Sequence, residues 1–272
     1  MKTTPAVKAV YYVLTSCIAI TFLAPLVWAV ISSVSPAPGT AQTSGFGFGN
    51  YRALFGYGRG LPTYLANSLV ISVVAIVVTV LAAATGGYAF ARFRFRGKNV
   101  LFILVLSVMM VPVAALLIPL IVWMKNIGMQ NSLPGVGLVL TLFQLPFGVF
   151  MMRNSFAAVP RELEEAAQID GCSQLGSFFK VMLPTVTPAL ITVGLFAYLA
   201  AWNDFMVSLY LLSMENAPLP LALVNMRQQV MGVIDYGSTT AGVVVLTLPA
   251  LVLFLALQKY YVKGFTSGAV KG

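Results

Sequence analysis

The sequence predicts an all-α membrane protein of six spanning helices in a single domain. Composition is the first reason: 59% of the 272 residues are hydrophobic and only 8% are charged, where soluble domains carry about a quarter charged residues. Spacing is the second. Charge-free windows fall at about 10–34, 68–91, 99–124, 132–152, 181–203 and 237–258, each long enough at about 1.5 Å per residue to cross a hydrocarbon core of about 30 Å. The placement of basic residues is the third, because it orients the bundle. With the N-terminus placed in the cytoplasm, the inside segments hold Lys2, Lys8, Arg92, Arg94, Arg96, Lys98, Arg153, Arg161, Lys180, Lys259, Lys263 and Lys271, and the outside segments only Arg52, Arg59, Lys125 and Arg227. Both termini, the Arg92–Lys98 loop and the segment 153–183 are thus expected in the cytoplasm. The net charge of +9 then reflects topology. A nucleic-acid surface is the weaker reading, since the basic residues are spread over four separate loops.

The first helix, 10–34, contains Leu14-Thr15-Ser16-Cys17, which resembles a lipoprotein cleavage box. The residues after it, Ile18 to Val30, stay apolar, so the window reads as a retained anchor. Its Cys17 and the Cys172 of segment 153–183 lie at different levels and are expected to be free thiols. The outer loop, about 36–66, is rich in Gly, Pro, Ser and aromatics (Phe46, Phe48, Tyr51, Phe55, Tyr57, Tyr64). These rings could stack on a sugar, but a belt at the membrane interface is the better expectation. Gly45-Phe46-Gly47-Phe48-Gly49 lacks the strand-to-helix context of a phosphate cradle and reads as a turn.

In the second helix, 68–91, Ala82, Ala83, Gly86, Gly87 and Ala91 form small-x-x-x-small pairs that allow close helix contact in lipid. The third, 99–124, carries Pro112 and Pro119, each a candidate kink. The fourth covers 132–152. The fifth and sixth are placed over 184–212 and 238–260. Within the fifth, Ala201-Trp202-Asn203-Asp204-Phe205 holds the one acid of a hydrophobic segment, and a carboxylate there must face protein or water. Trp202, Asn203 and Asp204 either line a substrate pathway or brace the bundle. The tail, 261–272, is too rich in glycine to predict a stable helix.

Segment 153–183 is the long polar interruption. Pro160 suits a first helical position, and Glu162, Glu164 and Glu165 place negative charge at the positive end of the helix dipole. Gly171 should end that helix. A second short helix from about Ser173 is expected to carry Leu175, Phe178, Phe179 and Met182 on one face until Pro184 breaks it.

The absences are as telling. There is no histidine, which excludes Ser-His-Asp chemistry and histidine metal sites. The nearest approach to a phosphate-binding loop, Gly97-Lys98-Asn99, lacks the upstream glycine and the hydroxyl. The chain is expected to be no enzyme and to bind no cofactor or metal, so any ATP must be handled by another chain.

Glu165-Ala166-Ala167 followed by Gly171 and Leu183-Pro184 resembles the cytoplasmic coupling loop of permease subunits in binding-protein-dependent ABC importers. Together with Ala201–Phe205 and the ending Gly264–Gly272, the whole chain is similar to the smaller permease subunit of the maltose importer and its carbohydrate-uptake relatives, of the type I importer fold. That resemblance implies a complex in membrane lipid: this chain, a second permease subunit, two ATPase subunits carrying ATP and Mg, and an extracytoplasmic solute-binding protein, together moving a sugar or oligosaccharide across the inner membrane. It implies ATPase coupling through Glu164, Glu165, Ala166, Ala167, Asp170, Gly171, Leu183 and Pro184, and ATPase contact through Gly268, Ala269, Val270, Lys271 and Gly272. The alternatives are an ABC permease for another solute such as glycerol phosphate, and an ion-coupled transporter using Asp204.

Overall fold

The computed structural model describes residues 5–36, 40–41, 43–229 and 235–269, with side chains described over 7–36, 40–41, 43–226 and 235–259. Every regular element among them is helical: α1 Pro5–Val34, α2 Gly49–Gly56, α3 Leu61–Arg92, α4 Lys98–Ser107, α5 Val113–Asn126, α6 Leu133–Ala158, α7 Arg161–Ile169, α8 Gln174–Ser177, α9 Leu183–Thr185, α10 Thr187–Trp202, α11 Met206–Leu211, α12 Leu219–Gln229 and α13 Tyr236–Ala269. Four of them, α1, α3, α6 and α13, are long and apolar enough to cross a membrane, and two bent pairs raise the number to six if each pair is one span.

The first bent pair breaks at Pro112, one of the candidate kinks, while the second departs from the single helix expected over 184–212. Over 99–124 the chain forms α4 and α5, which meet at 103°. A 3₁₀ turn at Val108–Met110 tightens the end of α4, Val111 is extended, and Pro112 restarts the chain as the residue before α5, because proline disfavours helical geometry at the residue before it. Pro119 lies inside α5 without breaking it. The fifth expected helix, 184–212, is instead a second bent pair: Gln174–Thr185 meets Thr187–Trp202 at 77°, with Val186 out of helical geometry between Pro184 and Pro188, two residues without an amide donor. It ends at Trp202, and α11 starts separately beyond Asp204.

The expectation of a non-helical tail is corrected: α13 passes through Gly264 and Gly268 to Ala269. Each glycine costs about 1 kcal/mol in a helix interior, but a helix already nucleated by the apolar stretch Tyr236–Lys259 propagates without meeting the nucleation cost again.

The chain forms two compact units, Met1–Pro62 with Ala222–Leu248, and Thr63–Leu221 with Pro249–Gly272. In the first, α2 is fastened to the end of α1. The wholly buried Asn50 donates from Nδ2 to the Ser33 carbonyl at 3.0 Å, and the Ser33 hydroxyl pairs with Tyr51 OH at 2.9 Å. The remainder of α1 is exposed and apolar on all sides, including Tyr11, Phe22 and Trp28, as suits a helix surrounded by lipid.

In the second unit the small residues expected to permit close packing on α3 do so against α6. A Cβ at Gly87 would lie 2.4 Å from Met152 Cβ and 2.8 Å from the Arg153 nitrogen, and one at Gly148 would lie 2.9 Å from Ala83 Cβ. One apolar cluster gathers Ala83, Tyr88, Met152, Phe156, Phe178 and Met182. A second gathers Ile71, Leu117, Met124, Val139 and Leu211. The first of these holds segment 153–183 against α3 and α6, and so positions the candidate site.

Candidate functional site

Local chemistry shapes the two arms of the loop. Pro160 precedes α7 in extended geometry, one residue before the position expected for it, and Glu162 and Glu164 occupy the first turn. At the other end Gly171 adopts φ +89°. The Cys172 amide donates to the Ala167 carbonyl at 2.9 Å and the Gly171 amide to the Gln168 carbonyl at 3.1 Å, the paired bonds of a Schellman stop. No atom lies within 4 Å of where a Cβ would sit on Gly171, so the left-handed backbone, not lack of space, demands glycine there. Ser173 then caps α8, its Oγ accepting the Gly176 amide at 3.1 Å.

The residues of α7 divide by direction. Glu164 and Ala167 are buried within the chain, whereas Leu163, Glu165, Ala166 and Ile169 are exposed. Glu164 Oε2 stands 3.2 Å from Arg92 Nε, with both side chains nearly excluded from solvent, 12% and 7% exposed. The Tyr88 hydroxyl donates to Glu164 Oε1. Arg92 Nη2 donates to the Val159 carbonyl at 2.8 Å, which fastens the chain just before α7 as well. The Tyr88 ring is itself held by Phe93, Phe156 and Phe178, with centroids 5.6, 5.4 and 4.8 Å away. A buried carboxylate with a guanidinium and a hydroxyl on separate oxygens is satisfied, and removing one partner leaves a buried charge uncompensated. Glu164 is therefore the internal anchor of the loop, and Glu165 its outward acid.

The single apolar face expected over Leu175, Phe178, Phe179 and Met182 is corrected. Phe178 and Met182 are buried in the core, while Leu175 and Phe179 are 72% and 60% exposed. Residues Phe178–Met182 form a π turn, whose wider i to i+5 bonding rotates successive side chains away from the 3.6-residue repeat. Ile169, 86% exposed, adds a third large apolar side chain to the outside of the loop. Asp170, Gly171 and Pro184 are also exposed and Leu183 is half-buried. Beside Glu165 an open cleft of about 190 Å³ is lined by Arg92, Phe93, Arg161, Glu164, Gln168 and Gln174.

The three candidate pathway residues do not converge. Trp202 is wholly buried and stacks on Tyr198 at 5.5 Å. Asn203 is exposed and bonds its own helix, donating to the Leu199 carbonyl at 2.8 Å. Asp204 caps α11: Oδ1 accepts the Val207 amide at 3.2 Å, and Oδ2 accepts the Ser208 amide and hydroxyl at 2.9 and 2.8 Å. Gly268 and Ala269 end α13, and Val270, Lys271 and Gly272 lie outside the described residues. Among the described residues no group of His, Cys, Asp and Glu is arranged to hold a metal. The partners of Glu164, namely Tyr88 and Arg92, escape sequence reading. The available signal was Arg92 itself, a cation at the end of a long apolar helix, which needs a partner wherever it is buried.

Residues 75–267 match the family described as binding-protein-dependent transport system inner membrane component. The chain is 33% identical over 271 residues to the trehalose transport system permease protein SugB of Mycobacterium tuberculosis, covering 97% of this chain and 98% of that protein. It is 36% identical over 211 residues to the diacetylchitobiose uptake system permease protein DasC of Streptomyces coelicolor, covering 77% and 76%, and 31% identical over 262 residues to the trehalose/maltose transport system permease protein MalG of Thermococcus litoralis, covering 93% of each. Its fold is shared with a chain of a bacterial ABC transporter involved in the import of the acidic polysaccharide alginate, at TM-score 0.80 and 23% identity, covering 96% of this chain and 99% of that one. The match extends over the α7–α8 loop and most of the helical bundle, so this chain belongs to the inner-membrane permease components of binding-protein-dependent transport systems.

Proposed function

We propose that this chain is the permease subunit that, with a second permease, carries a sugar or oligosaccharide across the cytoplasmic membrane, and that ATP hydrolysis with Mg on two partner ATPases drives it through the 153–183 loop. The observation that carries this reading is the division of α7 and α8. One side is riveted to α3 through Arg92, Glu164 and Tyr88. The other presents Glu165, Ala166, Ile169, Leu175 and Phe179 to solvent. Large apolar side chains grouped on a polar loop mark a contact surface, and a loop rigidly joined to a membrane helix can pass motion inward. ATPase closure shifts the permease only through differential binding to its two states, so the joint between loop and α3 is a functional requirement.

The excess of basic residues places both termini and this loop in the cytoplasm. Gly268 and Ala269, which end α13, are then read with the rest of the tail as an ATPase contact. A sugar is favoured because relatives are named for trehalose, diacetylchitobiose and arabinooligosaccharide transport, and because no basic residue falls within the six charge-free windows to hold an anion such as glycerol phosphate. The pathway is assigned to the break after α10, with Asn203 and Asp204 at its edge and Trp202 shaping it from within. Purified complex in liposomes, supplied with an extracytoplasmic binding protein, tests this. Uptake of a labelled oligosaccharide should require internal ATP, and uptake that follows a proton or sodium gradient without ATP would refute it.

A further inference from the structure

Five basic side chains that take no part in the Arg92–Glu164–Tyr88 rivet come from four separate segments. Arg94 and Arg96 stand in the α3–α4 connection, Lys98 at the start of α4, Arg153 near the end of α6 and Arg161 at the start of α7. Lys98 Nζ bonds the carbonyl of Phe93, the residue before Arg94; Phe93 lines one cleft with Arg161; and Arg153 lies over Phe102, four positions along α4 from Lys98, so these cations gather about the start of α4. None of the five has a carboxylate oxygen within 4.0 Å among the described residues; Glu164 is taken by Arg92, and Glu162 and Glu165 stand on the α7 arm with Arg161 without pairing to it. Like charges so placed repel, and a surface that keeps Arg94, Lys98 and Arg153 without an ion pair has its compensation supplied from outside.

What lies beneath and beside them narrows the choice of anion. Arg153 sits 4.2 Å over the Phe102 ring. Phe102 meets Phe90, and Phe90 meets Phe95, at 5.3 and 6.1 Å, so Arg153 stands on an aromatic floor. Lys98 is held in place by donating from Nζ to the Phe93 carbonyl at 3.0 Å. Directly beyond Lys98, α4 presents Val100, Leu101, Ile103 and Leu104, all exposed, along a helix apolar enough to enter a bilayer. A free phosphate would use the cations alone, and an acidic protein surface would have no use for an adjoining apolar wall. A molecule with a phosphodiester at one end and acyl chains at the other meets both.

The geometry points to an anionic phospholipid site, with the headgroup phosphate among Arg94, Lys98, Arg153 and Arg161, the acyl chains along α4, and Arg96 adding to the field. The inward placement of this end of the bundle rests on the orientation proposed above, but the binding itself does not. Each cation near an anionic membrane surface contributes about fivefold in affinity. The variants to use are Arg94→Gln with Arg96→Gln and, separately, Lys98→Gln, none of which touches the Arg92–Glu164 rivet.

The full permease complex is placed in nanodiscs of phosphatidylcholine with a minor fraction of phosphatidylglycerol, and retained lipid is counted by native mass spectrometry. Wild-type protein should hold phosphatidylglycerol over phosphatidylcholine, and the double variant should lose that preference by about 25-fold. Inorganic phosphate up to millimolar levels should not displace the lipid; displacement would mean a free-anion site and overturn the assignment. Equal retention of both lipids by wild-type and variant would overturn it as well. Loss of ATPase-subunit binding in neutral lipid, with phosphatidylglycerol retention unchanged, would reassign the patch to the protein partner. None of these readouts depends on transport, so failure of the lipid site and failure of the importer reading are separately visible.

Discussion

Replacing Glu164 by alanine isolates the rivet between loop and membrane helix. The change strips Arg92 Nε of its carboxylate at 3.2 Å and the Tyr88 hydroxyl of its acceptor, in a place where the arginine side chain is 7% exposed. Breaking a buried pair by removing one member costs about 3–5 kcal/mol. Arg92 keeps its 2.8 Å bond to the Val159 carbonyl, and the loop can open to admit water, so the lower end, about 3 kcal/mol, is expected. At about 1.4 kcal/mol per factor of ten, the docked loop loses about 100-fold in population relative to the open one. Glu164→Gln keeps an acceptor for Tyr88 but leaves Arg92 without its counter-ion, and should lose about 2 kcal/mol, less than alanine. Replacing both Arg92 and Glu164 by methionine removes both charges and should recover much of the stability without recovering coupling. The assays are protease sensitivity across residues 159–174, substrate-stimulated ATP hydrolysis and uptake, all on the reconstituted complex. Glu164→Ala should be cleaved far faster and hydrolyse ATP without transport. Wild-type protease resistance and wild-type uptake in Glu164→Ala would refute the rivet.

At Gly171 the φ of +89° costs an L-residue about 1–2 kcal/mol, so Gly171→Ala should weaken ATPase docking about tenfold, with Gly171→Asn milder; equal affinities for both variants and wild type would show that the turn is not needed. Gly87→Ala pushes a methyl into the α6 backbone at 2.4–2.9 Å and should lower complex yield, costing about 1–3 kcal/mol, whereas at Gly86, whose nearest neighbour is a Val149 methyl at 3.4 Å, alanine should be tolerated; the opposite order in detergent melting would contradict the packing. Asp204→Asn keeps a cap of comparable strength and should assemble and transport, while Asp204→Ala should lose about 1 kcal/mol at α11; complete loss of transport in the asparagine variant with normal assembly would instead make the charge itself essential. Cysteine at Ala269 should crosslink to an ATPase subunit, and labelling from outside intact cells would reverse the proposed orientation.

Several features of this protein are local and were therefore legible along the chain. Apolar run lengths mark where the helices can cross. Gly171 and Ser173 stop one arm of the loop and start the next, because a left-handed residue and a capping hydroxyl act within a few positions of themselves. The small residues of α3 announced a close helix contact, although not that Met152, Arg153 and Gly148 of α6 would meet it. Prolines 112 and 184 marked weak points without giving the angles of 103° and 77°, because a chain freed of a hydrogen bond bends as its neighbours dictate. The division of α7 depended on tertiary structure altogether. Two adjacent glutamates are equivalent in sequence, and what turns Glu164 inward is an arginine 72 positions earlier and a tyrosine 76 positions earlier, brought under it only when α3 and α6 pack at glycine distance. The π turn likewise separates Phe179 from Phe178 because Phe178 and Met182 must both reach the core. Local physics determined where the two arms of this loop stop and start; long-range packing decided which of its faces is bound to the bundle and which is left for a partner.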